Sequence, residues 1–227
     1  MIRTQTADDI CTVTLDRPAR RNALTPDALE ALRDAVETTD ASVVYLHGAG
    51  EAFCAGADLD VVADLDDESV EAFVRAGQRA ATTLAETDAV TVAGIDGPAR
   101  GGGVELALGC DLRVATPAAT LAESGVSLGL FGAWGGTARL PQIVGLGEAM
   151  DLALTGRVID ADAALRMGLV SRVVEDPREI AETIAAHDPR ALQTIKTRLR
   201  DTASRADQED REVEAFASLL ETASLDD

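Results

Sequence analysis

Three consecutive glycines stand directly before a carboxylate in the stretch Gly97-Pro98-Ala99-Arg100-Gly101-Gly102-Gly103-Val104-Glu105. An apolar run, Leu106 to Gly109, follows and indicates that a helix begins here. Glycines let a reacting group approach backbone N–H donors closely, and a helix N-terminus adds unpaired donors and partial positive charge. The stretch therefore predicts a site that stabilises an oxyanion or enolate, with an acid or base beside it.

Two phosphate-binding motifs do not fit this stretch. A dinucleotide fingerprint, G-x-G-x-x-G, would need its third glycine at Leu106 or Leu108. A Walker A loop needs Gly-Lys followed by Ser or Thr, and the single lysine of the chain is Lys196.

Length and composition indicate one sizeable domain, or one core with a helical extension, because 227 residues that are 46% hydrophobic can bury a substantial interior. No run of 18 apolar residues appears, and Met1 to Thr6 lack the apolar stretch of a signal peptide. We therefore expect a soluble, cytoplasmic protein that does not enter membranes. Cysteines 11, 54 and 110 show no C-x-x-C spacing, which favours buried free thiols. His47 and His187 each stand alone, so no metal site is expected.

The charge distribution argues against binding to nucleic acid. Forty acidic residues against 20 basic ones give a net charge of −20, spread along the chain, which repels a polyanion. Of the basic residues 19 are arginine. Acidic excess with few lysines resembles proteins of halophilic microorganisms, where molar salt shortens the Debye length to about 3 Å. A halophilic source is therefore expected.

Strand and helix signals alternate in the first half of the chain. Apolar and β-branched runs predict strands over Ile10 to Leu15, Ser42 to His47 and Ala89 to Ile95. Helices are predicted after the Thr25-Pro26 cap and over Val70 to Leu84. The second half favours helices that start at Asp176-Pro177-Arg178-Glu179 and cover Arg190 to Leu199 and Glu209 to Leu220.

Three further motifs accompany the glycine run. They are Leu15-Asp16-Arg17-Pro18-Ala19-Arg20-Arg21-Asn22-Ala23-Leu24, the stretch from Val43 to Leu59, and Trp134-Gly135-Gly136-Thr137-Ala138-Arg139-Leu140-Pro141. In this order the four motifs, within residues 2 to 200, resemble the crotonase superfamily, also called the enoyl-CoA hydratase/isomerase family.

The resemblance implies an α/β fold with a spiral of ββα units over residues 1–170 that binds an acyl-CoA thioester. It also implies a helical C-terminal oligomerisation region over 171–227, assembly into homotrimers or dimers of trimers, and no cofactor other than the coenzyme A of the substrate. Relatives usually continue into a last helix that caps the pocket. Because the chain ends at Asp227, that helix is expected to be lacking.

The resemblance also assigns binding residues. The oxyanion hole maps to the backbone N–H groups of Ala57 and Gly102. The CoA-binding groove maps to Ala23, Ala55, Gly56, Asp58 and Leu59. Arg20 or Arg21 could meet the phosphates, and a solvated loop is the alternative for both. Asp60 stands where relatives often have a lysine, close to the expected phosphate path.

Glu105 matches one of the two glutamates with which hydratases of the family activate the water that adds to C3 of a 2-enoyl-CoA. A helix-dipole partner is the alternative role. The second glutamate position falls on Gly125. Glu123 is a candidate second acid or base, but on an extended segment it would start about 6 to 7 Å away. We expect Glu105 to act without its usual companion, so hydration, enoyl-CoA isomerisation and acyl-CoA decarboxylation all stay open.

Leu130, Phe131, Ala133 and Trp134 are candidates for the wall of the acyl pocket near Gly125, with ordinary core packing as the alternative. The same segment matches the serine-hydrolase motif G-x-S-x-G at Ser127. Residues 130 to 133 are poor helix formers, so Ser127 is expected to be structural. A thioester-binding or scaffold relative without chemistry is the remaining alternative, and the retained oxyanion residues argue against it.

Overall fold

The computed structural model describes residues 1–223, an α/β chain with two sheets. Its strands are β1 (Ile2–Ala7), β2 (Ile10–Leu15), β3 (Val43–Gly48), β4 (Val90–Ile95), β5 (Pro98–Arg100), β6 (Leu112–Ala115), β7 (Thr120–Ala122), β8 (Ile159–Asp160) and β9 (Arg172–Val173). Its helices are α1 (Pro26–Glu37), α2 (Leu59–Ala63), α3 (Val70–Glu86), α4 (Gly102–Gly109), α5 (Gly136–Thr155), α6 (Ala161–Arg166), α7 (Arg178–Ala185), α8 (Pro189–Leu199) and α9 (Arg205–Leu220).

The large sheet has the strand order β1-β2-β3-β4-β6-β9, and the small one the order β5-β7-β8. Strands β1 and β2 are antiparallel, and every further pair in the large sheet is parallel. Strands β3 and β4 are almost continuously apolar and buried because helices cover parallel strands on both faces. The three strands predicted in the first half are confirmed.

The helix signals are also confirmed, but some helices begin at other residues than predicted: α7 starts at Arg178, and α9 starts at Arg205, four residues before the predicted Glu209. Thr25 caps α1, its hydroxyl accepting from the N–H of Ala28 at 3.4 Å, and a proline opens the first turn. Helix α7 begins at Arg178, where the Asp176 carboxylate accepts from the Arg178 N–H at 2.9 Å. The predicted start is therefore correct to within two residues.

Buried side chains form two clusters, one on each face of the large sheet. The main cluster packs α1, α3 and α4 against one face and contains all three cysteines as buried free thiols, as predicted. The smaller cluster packs α7 against the other face, through Ala181 on Tyr45 and Val92. Elements that follow residue 170, namely β9 and α7, thus belong to the sheet layer, and the division of the chain at that residue stays a prediction.

Helix α8 is joined to the sheet by the single lysine of the chain. Lys196 Nζ lies 2.9 Å from Asp111 Oδ2 and donates to the Ala89 carbonyl at 2.7 Å. Arg200 pairs with the other carboxylate oxygen of Asp111 at 2.7 Å. In residues 1–223, no helix combines the length and apolar character needed to cross a bilayer.

Candidate active site

Short β-bridges hold the two predicted oxyanion segments together. Leu24 pairs in parallel with Ala57, and Cys54 pairs in parallel with Ala99 in β5. In the second bridge, the Arg100 N–H donates to the Cys54 carbonyl at 2.9 Å. Because β5 runs directly into α4, these bridges fix the Ala57 loop against the N-terminus of α4.

The backbone N–H groups of Ala57 and Gly102 make no hydrogen bond within the described chain, and both residues line one cavity. Gly56 brings the two segments together. A Cβ at position 56 would lie 2.7 Å from the Arg100 carbonyl oxygen and 2.9 Å from the Gly102 nitrogen, and its φ is +87°. Only glycine tolerates both the approach and the left-handed conformation. The site can therefore offer two N–H donors to one carbonyl oxygen.

Position 102 must also be a glycine. A Cβ there would lie 2.3 Å from the ring of Trp134, which rests on the N-terminus of α4. Trp134 is buried and meets Phe73 edge to face, with ring centroids 5.7 Å apart. Trp134 therefore packs in the core and lines the cavity at the same time.

Asn22 supports the Ala57 loop, a role that the sequence did not reveal. Its buried amide donates to the carbonyls of Ala49, Ala52 and Phe53 at 3.0, 2.7 and 3.2 Å. Its φ of +58° is a conformation that asparagine tolerates better than most residues. An asparagine after two arginines was the available signal, and it indicates a turn rather than a site.

Arginines and aspartates of the predicted CoA groove pair with each other. Asp58 is buried, caps α2 by accepting from the Asp60 N–H at 3.0 Å, and forms an ion pair with Arg17. Asp60 forms an exposed ion pair with Arg20. Arg21 is exposed, in a left-handed turn. Asp58 therefore supports the loop from outside the cavity.

Glu105 lies in the first turn of α4, and 2% of it is exposed. Its Oε1 accepts from the backbone N–H groups of Trp134 and Gly136, both at 2.7 Å. Burial raises the pKa of Glu105 above its ordinary value, and the two hydrogen bonds and the charge of Arg139 partly offset that rise. Arg139, which donates to the Trp134 carbonyl at 3.2 Å, also had no sequence signal.

The expectation that Glu105 lacks a carboxylate companion is wrong. Strand β7 ends at Ala122, and the chain turns at Glu123 into a 3₁₀ helix over residues 124–128, so the extended geometry behind that expectation does not apply. A Cβ on Gly132 would lie 2.9 Å from the carboxyl carbon of Glu105 and 3.1 Å from Glu123 Oε2. Both carboxyl groups therefore lie against the same glycine.

Of the two acids, Glu123 has the more strongly raised pKa. It is 8% exposed, and its Oε1 is buried without a hydrogen-bond partner among the described residues. Burial, with a smaller contribution from the Glu105 charge, raises the pKa of Glu123 to about 8. Two adjacent buried carboxyls are expected to retain one proton at neutral pH, and Glu123 is the group that retains it.

The two oxyanion segments, Glu105 and Trp134 line a cavity of about 200 Å³, which we call the thioester cavity. Glu123 lines an adjoining cavity on the other side of Gly132. Of the predicted site residues it is lined by Ala55, Ala57, Leu59, Gly102, Glu105, Gly125, Leu130, Phe131, Ala133 and Trp134. Ala23, Gly56 and the two arginines lie outside its lining. The cavity thus combines backbone donors, a carboxylate and an apolar wall.

The other candidate residues do not form a site. Ser127 is exposed within the 3₁₀ helix, without the strand-to-helix turn that a hydrolase nucleophile needs. His47 lies 2.9 Å from the Thr14 hydroxyl and stacks on Tyr45, and His187 is exposed after α7. In the described part of the chain, no group of three His, Cys, Asp or Glu side chains could hold a metal ion.

Comparison with known proteins agrees with this geometry. The family model for enoyl-CoA hydratase/isomerase matches residues 5–225. The short-chain-enoyl-CoA hydratase of Clostridium acetobutylicum is 35% identical over 198 residues, covering 82% of this chain and 76% of its own. The crotonyl-CoA hydratase of Syntrophomonas wolfei is 37% identical over 171 residues, covering 73% and 65%.

The crystal structure of enoyl-CoA hydratase from Bacillus anthracis superposes with a TM-score of 0.91 at 33% identity, covering 97% of this chain and 91% of that one. The fold is therefore the α/β crotonase fold that the motifs predicted. The chain belongs to the enoyl-CoA hydratase/isomerase family.

Proposed function

We propose that this chain adds water to the double bond of a 2-enoyl-CoA thioester. The observation that carries the proposal is the pair of buried carboxyl groups, Glu105 and Glu123, against Gly132: Glu105 lines the thioester cavity, and Glu123 lines the cavity that adjoins it across Gly132. Hydration needs one base and one acid, and the environments of these two groups separate them into those roles. The hydratase names of the relatives from Clostridium acetobutylicum and Syntrophomonas wolfei support the same reaction.

In this mechanism the thioester oxygen accepts from the N–H groups of Ala57 and Gly102. Negative charge that develops on that oxygen is stabilised by donors that need no reorganisation. Ionised Glu105 takes a proton from water as the water oxygen bonds to C3. Protonated Glu123 gives a proton to C2, so the elements of water are added and the two carboxyls exchange charge.

The phosphates of coenzyme A would lie outside the thioester cavity, near Arg20 and Arg21, which are exposed and do not line it. The Arg20 guanidinium must then leave the Asp60 carboxylate or bind that carboxylate and the phosphate at the same time. The chemistry is acid–base throughout, so we propose that no cofactor beyond the CoA of the substrate is needed. Unchanged turnover after exhaustive dialysis against a chelator is the expected result.

The deciding experiment measures turnover of crotonyl-CoA, a 3-enoyl-CoA and a malonyl-type thioester by the purified protein in molar KCl. We expect hydration of crotonyl-CoA to be fastest. Turnover of the 3-enoyl-CoA alone would assign an isomerase, and CO₂ release alone would assign a decarboxylase. Binding without turnover of any thioester would leave a scaffold.

We also propose a homotrimer or a dimer of trimers, stable in high salt and cytoplasmic. Val213, Phe216 and Leu220 form an exposed apolar stripe on α9 that association could cover. The net charge of −20 supports a cytoplasm of high salt concentration. The three buried free thiols support a reducing compartment. Light scattering measures the state of assembly, and unfolding midpoints from low to molar KCl measure the dependence of stability on salt. A monomer would contradict the proposed assembly, and equal midpoints at all KCl concentrations would contradict the proposed salt dependence.

A further inference from the structure

Positive charge gathers in a groove between α1 and α3, although the chain as a whole carries a net charge of −20. The groove is a cavity of about 410 Å³, lined by three arginines, Arg33, Arg75 and Arg79, and by one carboxylate, Glu37. Its remaining lining consists of Gln78, Thr82 and Thr83. We call it the arginine groove. It has no lining residue in common with the thioester cavity.

Helical spacing places the arginines close together. Arg75 and Arg79 are four residues apart on α3, so both side chains lie on the same face of the helix. Arg33 stands on α1, across the groove, where its guanidinium also donates to the exposed Asp34 at 2.8 Å. Like charges at this spacing repel each other, and a bound anion would offset that repulsion.

The partners that these arginines have within the chain leave hydrogen-bond donors unused. The Nε–H of Arg33 is buried without a hydrogen-bond acceptor among the described residues, and Glu37 Oε1 lies 3.6 Å from it. Arg75 lies 3.6 Å from Glu71 in an exposed pair, which contributes little. In residues 1–223, Arg79 lies within 4 Å of no carboxylate oxygen. The groove therefore offers several guanidinium donors to a ligand.

The lining favours a small oxyanion with more than one negative charge. Three guanidinium groups against one carboxylate leave an excess of two positive charges, which a dianion or a larger polyanion balances. Arginine presents its N–H groups in a planar fork that can bind two oxygens of a phosphate at once. The described residues that line the groove include no aromatic or large aliphatic side chain. Neither a nucleobase nor an acyl chain therefore finds a surface on which to pack.

A chain of hydrogen bonds leads from the arginine groove to the turn that holds Glu105. Arg75 donates to the side-chain carbonyl of Gln78 at 3.0 Å, and the Gln78 amide donates to the Ala133 carbonyl at 3.0 Å. Ala133 directly precedes Trp134, whose N–H is one of the two donors to Glu105. An anion that draws the Arg75 guanidinium away from Gln78 therefore weakens the support of this turn.

A second connection lies one turn further along α3. Thr82 lines the groove, and its hydroxyl accepts from Arg139 at 3.1 Å. Arg139 in turn donates to the Trp134 carbonyl at 3.2 Å. The arginine groove and the turn at residues 133–136 are thus joined by continuous hydrogen bonds, although they belong to separate cavities.

We propose that the arginine groove binds a small anion that carries phosphate groups, and that the bound anion displaces the turn at residues 133–136. The groove is then an effector site, separate from the cavity that holds the thioester. Binding of the anion does not depend on the proposed hydratase function, whereas any effect of the anion on turnover rests on it.

The single tryptophan of the chain makes the displacement measurable. Trp134 lies in the turn, so its fluorescence reports on the turn without any thioester present. Pyrophosphate is titrated into the wild-type protein at constant ionic strength, with fluorescence and calorimetry in parallel. We expect one pyrophosphate to bind per chain, with a change in Trp134 emission over the same concentration range. Acetate, a monoanion, should bind about tenfold more weakly or worse.

The variant Arg75→Gln with Arg79→Gln removes two of the three guanidinium groups. Both side chains are exposed, so the fold should be retained. We expect pyrophosphate to bind about tenfold more weakly or worse, and the change in Trp134 emission to be lost in that range. The matched control is Arg166→Gln with Arg205→Gln, at exposed positions on α6 and α9, which changes the net charge by the same amount. The control should bind pyrophosphate as the wild type does.

Three results would overturn the binding site: no saturable binding in wild type, equal weakening in the control variant, or acetate that binds as tightly as pyrophosphate. Binding by calorimetry with unchanged Trp134 emission would overturn the displacement of the turn. Loss of pyrophosphate binding at a CoA concentration that just saturates the thioester cavity would assign the arginines to the phosphates of the substrate, and the separate site would be wrong.

Turnover of crotonyl-CoA, measured on the same samples, separates this inference from the hydratase proposal. If no enoyl-CoA is hydrated but pyrophosphate binds the wild type and the control more tightly than the Arg75 and Arg79 variant, the hydratase proposal fails and the anion site stands. If crotonyl-CoA is hydrated and pyrophosphate does not bind, the reverse holds.

Discussion

The two sides of the thioester cavity are built in different ways. On the oxyanion side, the reactive groups are backbone N–H donors of Ala57 and Gly102, which the β-bridges at Leu24 and Cys54 hold in place. On the carboxyl side, the reactive groups are the side chains of Glu105 and Glu123, and their properties come from burial and from each other. Geometry is fixed on one side, and protonation is adjusted on the other.

This difference determines how each side responds to change. A backbone donor has no side chain to exchange, and proline, which alone removes the N–H, also constrains the backbone. The oxyanion side is therefore altered by displacing it. A carboxyl group can be replaced by an amide of nearly the same shape, so the carboxyl side can lose its chemistry while its structure is kept. Substitutions on the two sides should therefore separate loss of position from loss of proton transfer.

The largest effect is expected from Glu105→Gln. The amide oxygen can still accept from the Trp134 and Gly136 N–H groups, so the fold is retained, but the base is lost. We expect kcat for crotonyl-CoA to fall by roughly 10²- to 10⁴-fold with little change in the unfolding midpoint. Retention of more than a tenth of the rate would remove Glu105 from the proposed mechanism.

Gly56→Ala is expected to displace the backbone donors of the oxyanion hole. The added Cβ would overlap the Arg100 carbonyl and the Gly102 nitrogen, so it should move the two donors apart. Loss of one donor lowers kcat by roughly 10²- to 10³-fold. Gly147→Ala is the matched control, because a Cβ there meets open space and its φ is not positive. Equal rates in the two variants would contradict the assigned oxyanion hole.

The pH dependence tests the carboxyl side. Glu123 must be protonated to act as the acid, so kcat is retained below a pKa of about 8 and lost as the pH rises through it. At pH 9 about a tenth of the activity at the optimum should remain. Glu105 must be ionised, so a second limb falls toward acid pH. In Glu123→Gln the alkaline limb should disappear from an already slower enzyme, and its persistence would assign that limb to another group.

The smallest effect is expected outside the cavity, from Asp60→Asn. This change frees Arg20 from its exposed ion pair and makes it available to a CoA phosphate. Exposed pairs are weak, so we expect a KM that is about two- to fivefold lower at low salt, with kcat unchanged. The gain should vanish in molar KCl. Asp64→Asn, on an exposed residue at the end of α2, serves as the control.

The oxyanion side could be predicted from the sequence because its requirements are local. Glycines before a carboxylate mark a close backbone approach, and the predicted helix does begin at Gly102. Glu123 could be named from the sequence as a candidate, but its approach to Glu105 could not be predicted, because it depends on the turn at which β7 ends and the 3₁₀ helix begins. The resemblance, counted back from Gly135-Gly136-Thr137, assigned the second position to Gly125, and an extended chain was assumed only in placing Glu123 about 6 to 7 Å away.

The supports of the site were likewise hidden. Asn22 bonds to carbonyls 27 and 30 residues away, and Arg139 joins the Trp134 carbonyl to the hydroxyl of Thr82, 57 residues away. No spacing rule indicates such partners. The strands and helices were predictable because buried faces impose a period on the sequence. Side-chain contacts between elements are specified only once the elements pack.

The position of Lys196 bears on the chemical durability of the protein. Thioesters transfer their acyl groups to unprotonated amines, and a protein that binds them is exposed to that side reaction. The side chain of Lys196 is 9% exposed and paired with Asp111, and the rest of the surface carries guanidinium groups, which stay protonated. The protein therefore presents no accessible lysine amine that its own substrate could acylate.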